Sequence, residues 1–232
     1  MTPVDFRRRR DELELMDADD APEEELRATF RELAVINRRL GGHAATLGAL
    51  NALTPPGTKR LRILDVGCGD GEAASVMLDW AEARGITTEV RGIDLSGASV
   101  RLASERRRPG LAFSQDDLFA LGAGDAYDIV HAGLMLHHCP GDSAARALKA
   151  MHERAGLGVA VNDLHRHPLA YHGIRRLTAA LSGNRLIRHD APLSVLRGFS
   201  RLELEDMCRR ALLPMPDIRW RWAFRWQMAV PR

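Results

Sequence analysis

The chain has 232 residues, 45% of them hydrophobic and 28% charged, with a net charge of +2. That is enough sequence for one domain to bury a core without staples, and too little charge to demand a nucleic acid or anionic membrane as partner. No run approaches roughly 18 apolar residues and no apolar stretch follows Arg7–Arg10, so neither a membrane span nor a signal peptide is expected. Cys68, Cys139 and Cys208 fit no metal spacing and no disulfide framework, which points to a reducing, cytoplasmic setting.

Taken in chain order, residues 22–53 read as helix. Pro22 suits a first turn, Glu23–Glu25 suit its positive end, and Leu26, Phe30, Leu33, Ile36 and Leu40 recur at spacings of three and four, with a break at Gly41-Gly42. Thr54–Thr58 is a linker, so residues 1–57 form an N-terminal helical cap and 58–232 the main domain. Strands follow at Arg62–Val66, Glu89–Asp94, Ala112–Ser114, Tyr127–Ala132 and Gly158–Asn162. Helices alternate with them at Glu72–Arg84, Gly97–Arg107 and Ser143–Arg154. Such a βαβ succession gives a Rossmann-like, doubly wound α/β sheet whose ligands sit beyond the carboxyl ends of the strands. Pro168–Leu181 reads as helix and Ser182–Phe199 as an irregular excursion, so residues 164–200 form a lid. Ser200 and Glu203 make a capping box for a helix from 201 to about 212. From Ile218 to Val230 apolar residues alternate with polar ones at period two, as one long strand or a hairpin near Ala223. Alternation places the aromatics on one face and the arginines on the other, which favours core packing over a nucleic-acid stacking surface. The Arg7–Arg10 run reads as a solvated helix face.

Asp65-Val66-Gly67-Cys68-Gly69-Asp70-Gly71 joins the first strand to a helix. Glycine there allows tight backbone angles and close approach of a ligand. The third glycine of a dinucleotide fingerprint falls one place early, and Asp65 and Asp70 flank the turn. Carboxylates beside the turn suit the ammonium and sulfonium of S-adenosylmethionine better than a pyrophosphate. Asp94 ends the second strand, where a carboxylate can accept both ribose hydroxyls. Asp116-Asp117 follows the third, in reach of an adenine amino group.

The segments LDVGCGDG (64–71), GIDLS (92–96), SQDDL (114–118) and YDIVHAGLMLHH (127–138), in this order and spacing, resemble the class I S-adenosylmethionine-dependent methyltransferases over Leu61 to about Asp163. The resemblance implies Asp65, Gly67, Cys68 and Gly69 around the methionine part, Asp94 and Leu95 at the ribose, and Asp117 with Leu118 at adenine. It also implies His131 and Ala132 near the methionine amine, and a helix closing over that end through Asn37 or Arg38. The flanks ELELM (12–16), NRRLGG (37–42), NDLHRHPLAY (162–171), DAPLSVLRGF (190–199) and RWRWAFRWQ (219–227) resemble small bacterial methyltransferases that accompany type III polyketide synthases and related phenolic pathways.

Methyl transfer to a hydroxyl needs alignment and a base. His165 and His167 lead as candidates, with Asp163 orienting one of them. His138 comes next and His137 is a further option, while Tyr171 and Arg197 could orient a phenolate. The fourth strand ends without the carboxylate of a metal-dependent catechol site, so no metal is expected. A small phenolic or polyketide-like acceptor is favoured because a lid encloses small molecules. An RNA or protein methyltransferase and a non-catalytic S-adenosylmethionine-binding module are the alternatives, and oligomeric state stays open.

Overall fold

The computed structural model describes residues 4–17, 22–122 and 126–232. Residues 1–3 and 18–21 of the expected N-terminal cap therefore lie outside the described residues. Helices α1 (Glu23–Arg39) and α2 (Gly42–Leu53) precede strand β1 (Arg60–Val66). Then come α3 (Glu72–Glu82), β2 (Thr87–Asp94), α4 (Gly97–Ser104), β3 (Leu111–Gln115), β4 (Tyr127–Gly133), α5 (Ser143–Arg154) and β5 (Ala155–Leu164). The chain closes with α6 (Pro168–Leu181), α7 (Arg185–Arg197), α8 (Arg201–Arg210), β6 (Asp217–Arg221) and β7 (Arg225–Pro231).

The strands form one seven-stranded sheet in the order β3-β2-β1-β4-β5-β7-β6. β1 to β5 are parallel, and β7 runs antiparallel between β5 and β6. Both faces carry cores because helices cover both. Leu50, Met77 and Leu78 of α2 and α3 meet Ile63, Val90 and Ile129 on one side. Leu148, Met151 and Leu204 of α5 and α8 meet Val130, Val159 and Met228 on the other. This is the Rossmann-like, doubly wound arrangement expected from the sequence. The expected N-terminal cap is divided by it, with α2 packed into the sheet core and α1 lying over the strand ends.

Two local expectations are corrected and one open alternative is resolved. Residues 182–199 are not irregular: Asn184 accepts from the Leu186 and Ile187 amides and starts α7, which carries Pro192 inside it. Asp190 of this helix takes the Leu15 and Met16 amides on its two oxygens at 2.8 and 2.9 Å. The C-terminal alternation is a hairpin turning at Trp222-Ala223-Phe224. No glycine marks that turn because its partner supplies one: Gly41 (φ +79°) would place a Cβ 1.5 Å from the Trp222 carbonyl oxygen, and Ala223 N donates to Leu40 O. β7 is buried on both faces, so Arg225 faces α1 and Gln227 faces α2 rather than solvent, while Trp220 and Trp222 on the β6 arm are exposed. Finally, Arg7–Arg10 is not a helix, and Arg9 reaches inward to the carbonyls of His137, Cys139 and Arg197 and stacks on Phe199.

Candidate active site

Beyond the carboxyl ends of the strands lies a cavity of about 1140 Å³, floored by the β1, β2 and β4 ends and walled by α1, α6 and α7. At its floor the β1–α3 turn hangs from β2, with the Gly67 and Cys68 amides both donating to Ile93 O. Asp94 braces the same turn: one oxygen accepts from Gly69 N and the other from Ser96 N, each at 2.9 Å. Its carboxyl is desolvated, and burial raises its pKa although those two amides pull the other way. Phe30 of α1 lies directly over the turn, where a Cβ on Gly69 (φ +54°) would stand 3.0 Å from its ring.

Asp65 is buried at the end of β1. Its Oδ1 pairs with His131 Nδ1 at 2.7 Å, whose Nε2 meets Thr46 Oγ1 at 3.1 Å. Its Oδ2 is buried with no hydrogen-bond partner, although the residue lines the cavity. An unmet carboxylate oxygen is costly, and an ammonium group placed there would satisfy it. Asp117 and Leu118 line the cavity beyond β3, and Leu95 flanks its mouth. Cys68 also lines it, its thiol pushed up by burial and by the charges of Asp65 and Asp94.

The remaining cofactor-side candidates divide. Asn37 lines the cavity, whereas Arg38 is exposed and does not. His131 and Ala132 are buried within β4 and do not line the cavity either. His131 is turned to α2 by its bonds to Asp65 and Thr46, and Gly133, Leu134 and Met135 take the place expected of it.

The histidines are also redistributed. β5 continues to Leu164 and stays paired with β7 to Arg225. That extension carries His165 and His167 past the cavity and onto the β6–β7 hairpin. His165 packs on Trp226 (ring centroids 4.6 Å apart) and His167 stacks on Phe224 at 4.9 Å, its Nδ1 capping α6. Neither lines the cavity. Burial, with the charges of His167 and Arg166, lowers the His165 pKa to about 4. Tyr171 packs against Phe6 and His172, also outside.

His137 and His138 face inward instead, because the chain after β4 makes a single 3₁₀ turn at Leu136–His138. Asp163 orients His137, at 2.7 Å from its Nδ1. Burial would raise the Asp163 carboxyl, but the charge and hydrogen bond of His137 outweigh it and hold the carboxyl low. His138 Nδ1 meets Asp17 at 2.9 Å, and its Nε2 lies 3.9 Å from Glu14. Burial alone would lower the His138 pKa, but the Asp17 hydrogen bond and the charges of Glu14 and Asp17 prevail and raise it. Arg197 ties the group together, donating to the carbonyls of His137 and His138 and pairing with Asp17 at 3.3 Å and Glu14 at 3.6 Å. Glu14, His137 and His138 bring potential metal-ligand atoms within 4.8 Å of one another. Arg197 already brings positive charge to Glu14 and Asp17, and each imidazole Nδ1 is held by a carboxylate, so we read the cluster as an acid–base network. Glu14, Asp17 and Arg225 are the site residues that sequence reasoning passed over. The ELELM and RWRWAFRWQ segments contained the signal for two of them.

Comparison with known proteins bears on this geometry. Residues 63–155 match the family model described as a methyltransferase domain. The matched stretch runs from within β1 to the start of β5 and includes the glycine turn and the ends of β1, β2 and β4. No curated protein matches the sequence. Among solved structures, human N-acetylserotonin methyltransferase in complex with S-adenosylmethionine is 14% identical over 94% of this chain, with a TM-score of 0.64. The chain spans 59% of that protein's length. The plantazolicin methyltransferase in complex with S-adenosylhomocysteine is 15% identical, covering 82% of this chain and 70% of its own, at a TM-score of 0.58. The CurJ carbon methyltransferase is 13% identical, covering 82% and 53%, at 0.57. Identities this low show a shared fold alone.

Proposed function

We propose that this protein methylates a hydroxyl group of a small phenolic or polyketide-like molecule from S-adenosylmethionine, with His138 as the general base. The observation that carries the reading is the placement of His138 in the wall of the cavity whose floor is the braced glycine turn. S-adenosylmethionine supplies an electrophilic methyl group when bound. Asp94 would accept from the ribose hydroxyls, Asp65 Oδ2 from the ammonium, and Asp117 from the adenine amine.

The chain's own task is then to exclude water, align the acceptor and remove its proton. Phe30, Leu33, Leu169, Ile174 and Leu177 supply apolar walls from α1 and α6, which suits an aromatic or alkyl acceptor. A phenol has a pKa near 10, so an imidazole held above its ordinary value is a better-matched base than one held below it. With the Nδ1 proton of His138 donated to Asp17, Nε2 is the atom that takes the hydroxyl proton, and Asp17 and Glu14 stabilise the imidazolium that results. Arg197 fixes both backbone carbonyls of the His137–His138 turn, and so its direction. Burial of the site beneath three helices supports a small acceptor over RNA or a protein.

The test is incubation with methyl-labelled cofactor and a panel of resorcinols, quinols and catechols, followed by mass spectrometry. The proposal expects a labelled methyl ether from at least one member. Label found only on carbon, on added RNA or on added protein would overturn it.

A further inference from the structure

Arg225 opens β7 opposite Leu164, the last residue of β5. It lines the cavity, yet it is 4% exposed. Its Nη2 donates to Asn37 Oδ1 at 2.9 Å, while Nε and Nη1 are buried with no partner. Among the described residues no carboxylate forms an ion pair with it. Asp163 is close enough to act on it through space, but that carboxylate is occupied by His137 and the Leu164 amide. Burial lowers the Arg225 pKa to about 10, so the group is cationic at neutral pH. A buried guanidinium with two idle donors and no counter-ion is an expensive arrangement, and a bidentate anion is its natural complement.

Its place in the sheet says which anion. In the order β1-β4-β5-β7, Arg225 stands three strands from the glycine turn, about 14 Å away at ordinary strand spacing. Helix α1 also runs between the two sites: Phe30 covers Gly69 and Asn37 meets Arg225, seven residues or about 10 Å further along at the helical rise. Arg225 is thus on the far side of the cavity from Asp94, among Leu169, Gly173 and Phe224. Arg101, the other arginine in the lining, is largely exposed and paired with Glu23.

We propose that Arg225, held by Asn37, binds a carboxylate carried by the methyl acceptor, so that the substrate is an acidic hydroxy compound rather than a neutral one. This rests on the reading of the cavity as an acceptor site. Binding is measured by calorimetry with 2,4-dihydroxybenzoate and its neutral analogue 2,4-dihydroxybenzamide, with and without S-adenosylhomocysteine, in the wild type, Arg225→Gln and Asn37→Asp. The second variant keeps the buried charge paired by giving it an internal counter-ion, so it tests the site even where Arg225→Gln fails to fold. The acid should bind the wild type at least about tenfold more tightly than the amide. Both variants should erase that preference and leave S-adenosylhomocysteine affinity within about twofold of the wild type. An acid that binds no better than the amide, or a preference surviving in both variants, overturns the proposal. So does a tenfold loss of S-adenosylhomocysteine affinity in both variants, which would assign Arg225 to the cofactor. Failure of the wild type to bind S-adenosylhomocysteine brings down the methyltransferase reading instead, and the acid preference is scored without it.

Discussion

Replacing Asp94 by alanine removes one carboxylate that does two things at once. Its oxygens brace the glycine turn through Gly69 N and the start of α4 through Ser96 N, each at 2.9 Å. In the proposed complex they also accept from the two ribose hydroxyls. Charge-assisted hydrogen bonds of this kind contribute about 1.5–3 kcal/mol, which is roughly one to two decades in affinity. A wild-type affinity near micromolar for S-adenosylhomocysteine should therefore fall to roughly 10–100 μM. Asp94→Asn sharpens the test, because its amide nitrogen must face one of two backbone N–H groups and cannot accept from either. It should lose nearly as much as the alanine variant, whereas a purely steric role would leave it intact. Calorimetry reads the affinity and thermal melting confirms the fold. Unchanged affinity in a folded Asp94→Ala protein refutes the placement of the ribose.

The other predictions concern the walls of the cavity. His165→Ala and His167→Ala should keep methylation within about threefold of wild type, since neither ring lines the cavity; a loss of 10² or more in either would return the base to that segment. Deleting residues 1–40 should leave a folded sheet whose S-adenosylhomocysteine affinity falls at least about tenfold, because Phe30 covers the glycine turn; normal affinity would make α1 mere packing. His165, with its pKa lowered to about 4, stays neutral in the folded protein at pH values where the unfolded chain binds a proton. Stability should then fall as pH drops from about 6.5 towards 4. Melting temperatures of His165→Gln across that window should show a shallower decline than wild type.

The floor of the cavity was legible in the sequence because local chemistry dictates it. Glycine at 67 and 69 and carboxylates at three successive strand ends need no tertiary information. The acid–base group was harder to read. Whether a histidine after a strand faces the cavity depends on where that strand stops. β4 ends at Gly133 and turns His137 and His138 inward, while β5 stays paired with β7 to Leu164 and lays His165 and His167 outward. Glu14 and Asp17 are held at the site by Asp190, which takes the Leu15 and Met16 amides, and by Arg197, some 175 to 180 residues away in sequence. Residues 182–199 read as an irregular excursion, yet Asn184 caps a helix that runs on through Pro192. The hairpin at Ala223 carries no turn residue of its own, because Gly41 provides the space.

The most direct test of the account is the pH dependence of methyl transfer in the wild type and in His138→Gln, with S-adenosylhomocysteine affinity measured alongside. The wild-type rate should fall as pH drops through a pKa above about 6.5, since Asp17 and Glu14 raise that of His138. His138→Gln should bind S-adenosylhomocysteine normally, lose a factor of about 10² or more in rate, and no longer show that inflection. A His138→Gln protein with near-normal turnover and an unchanged pH profile would contradict the account.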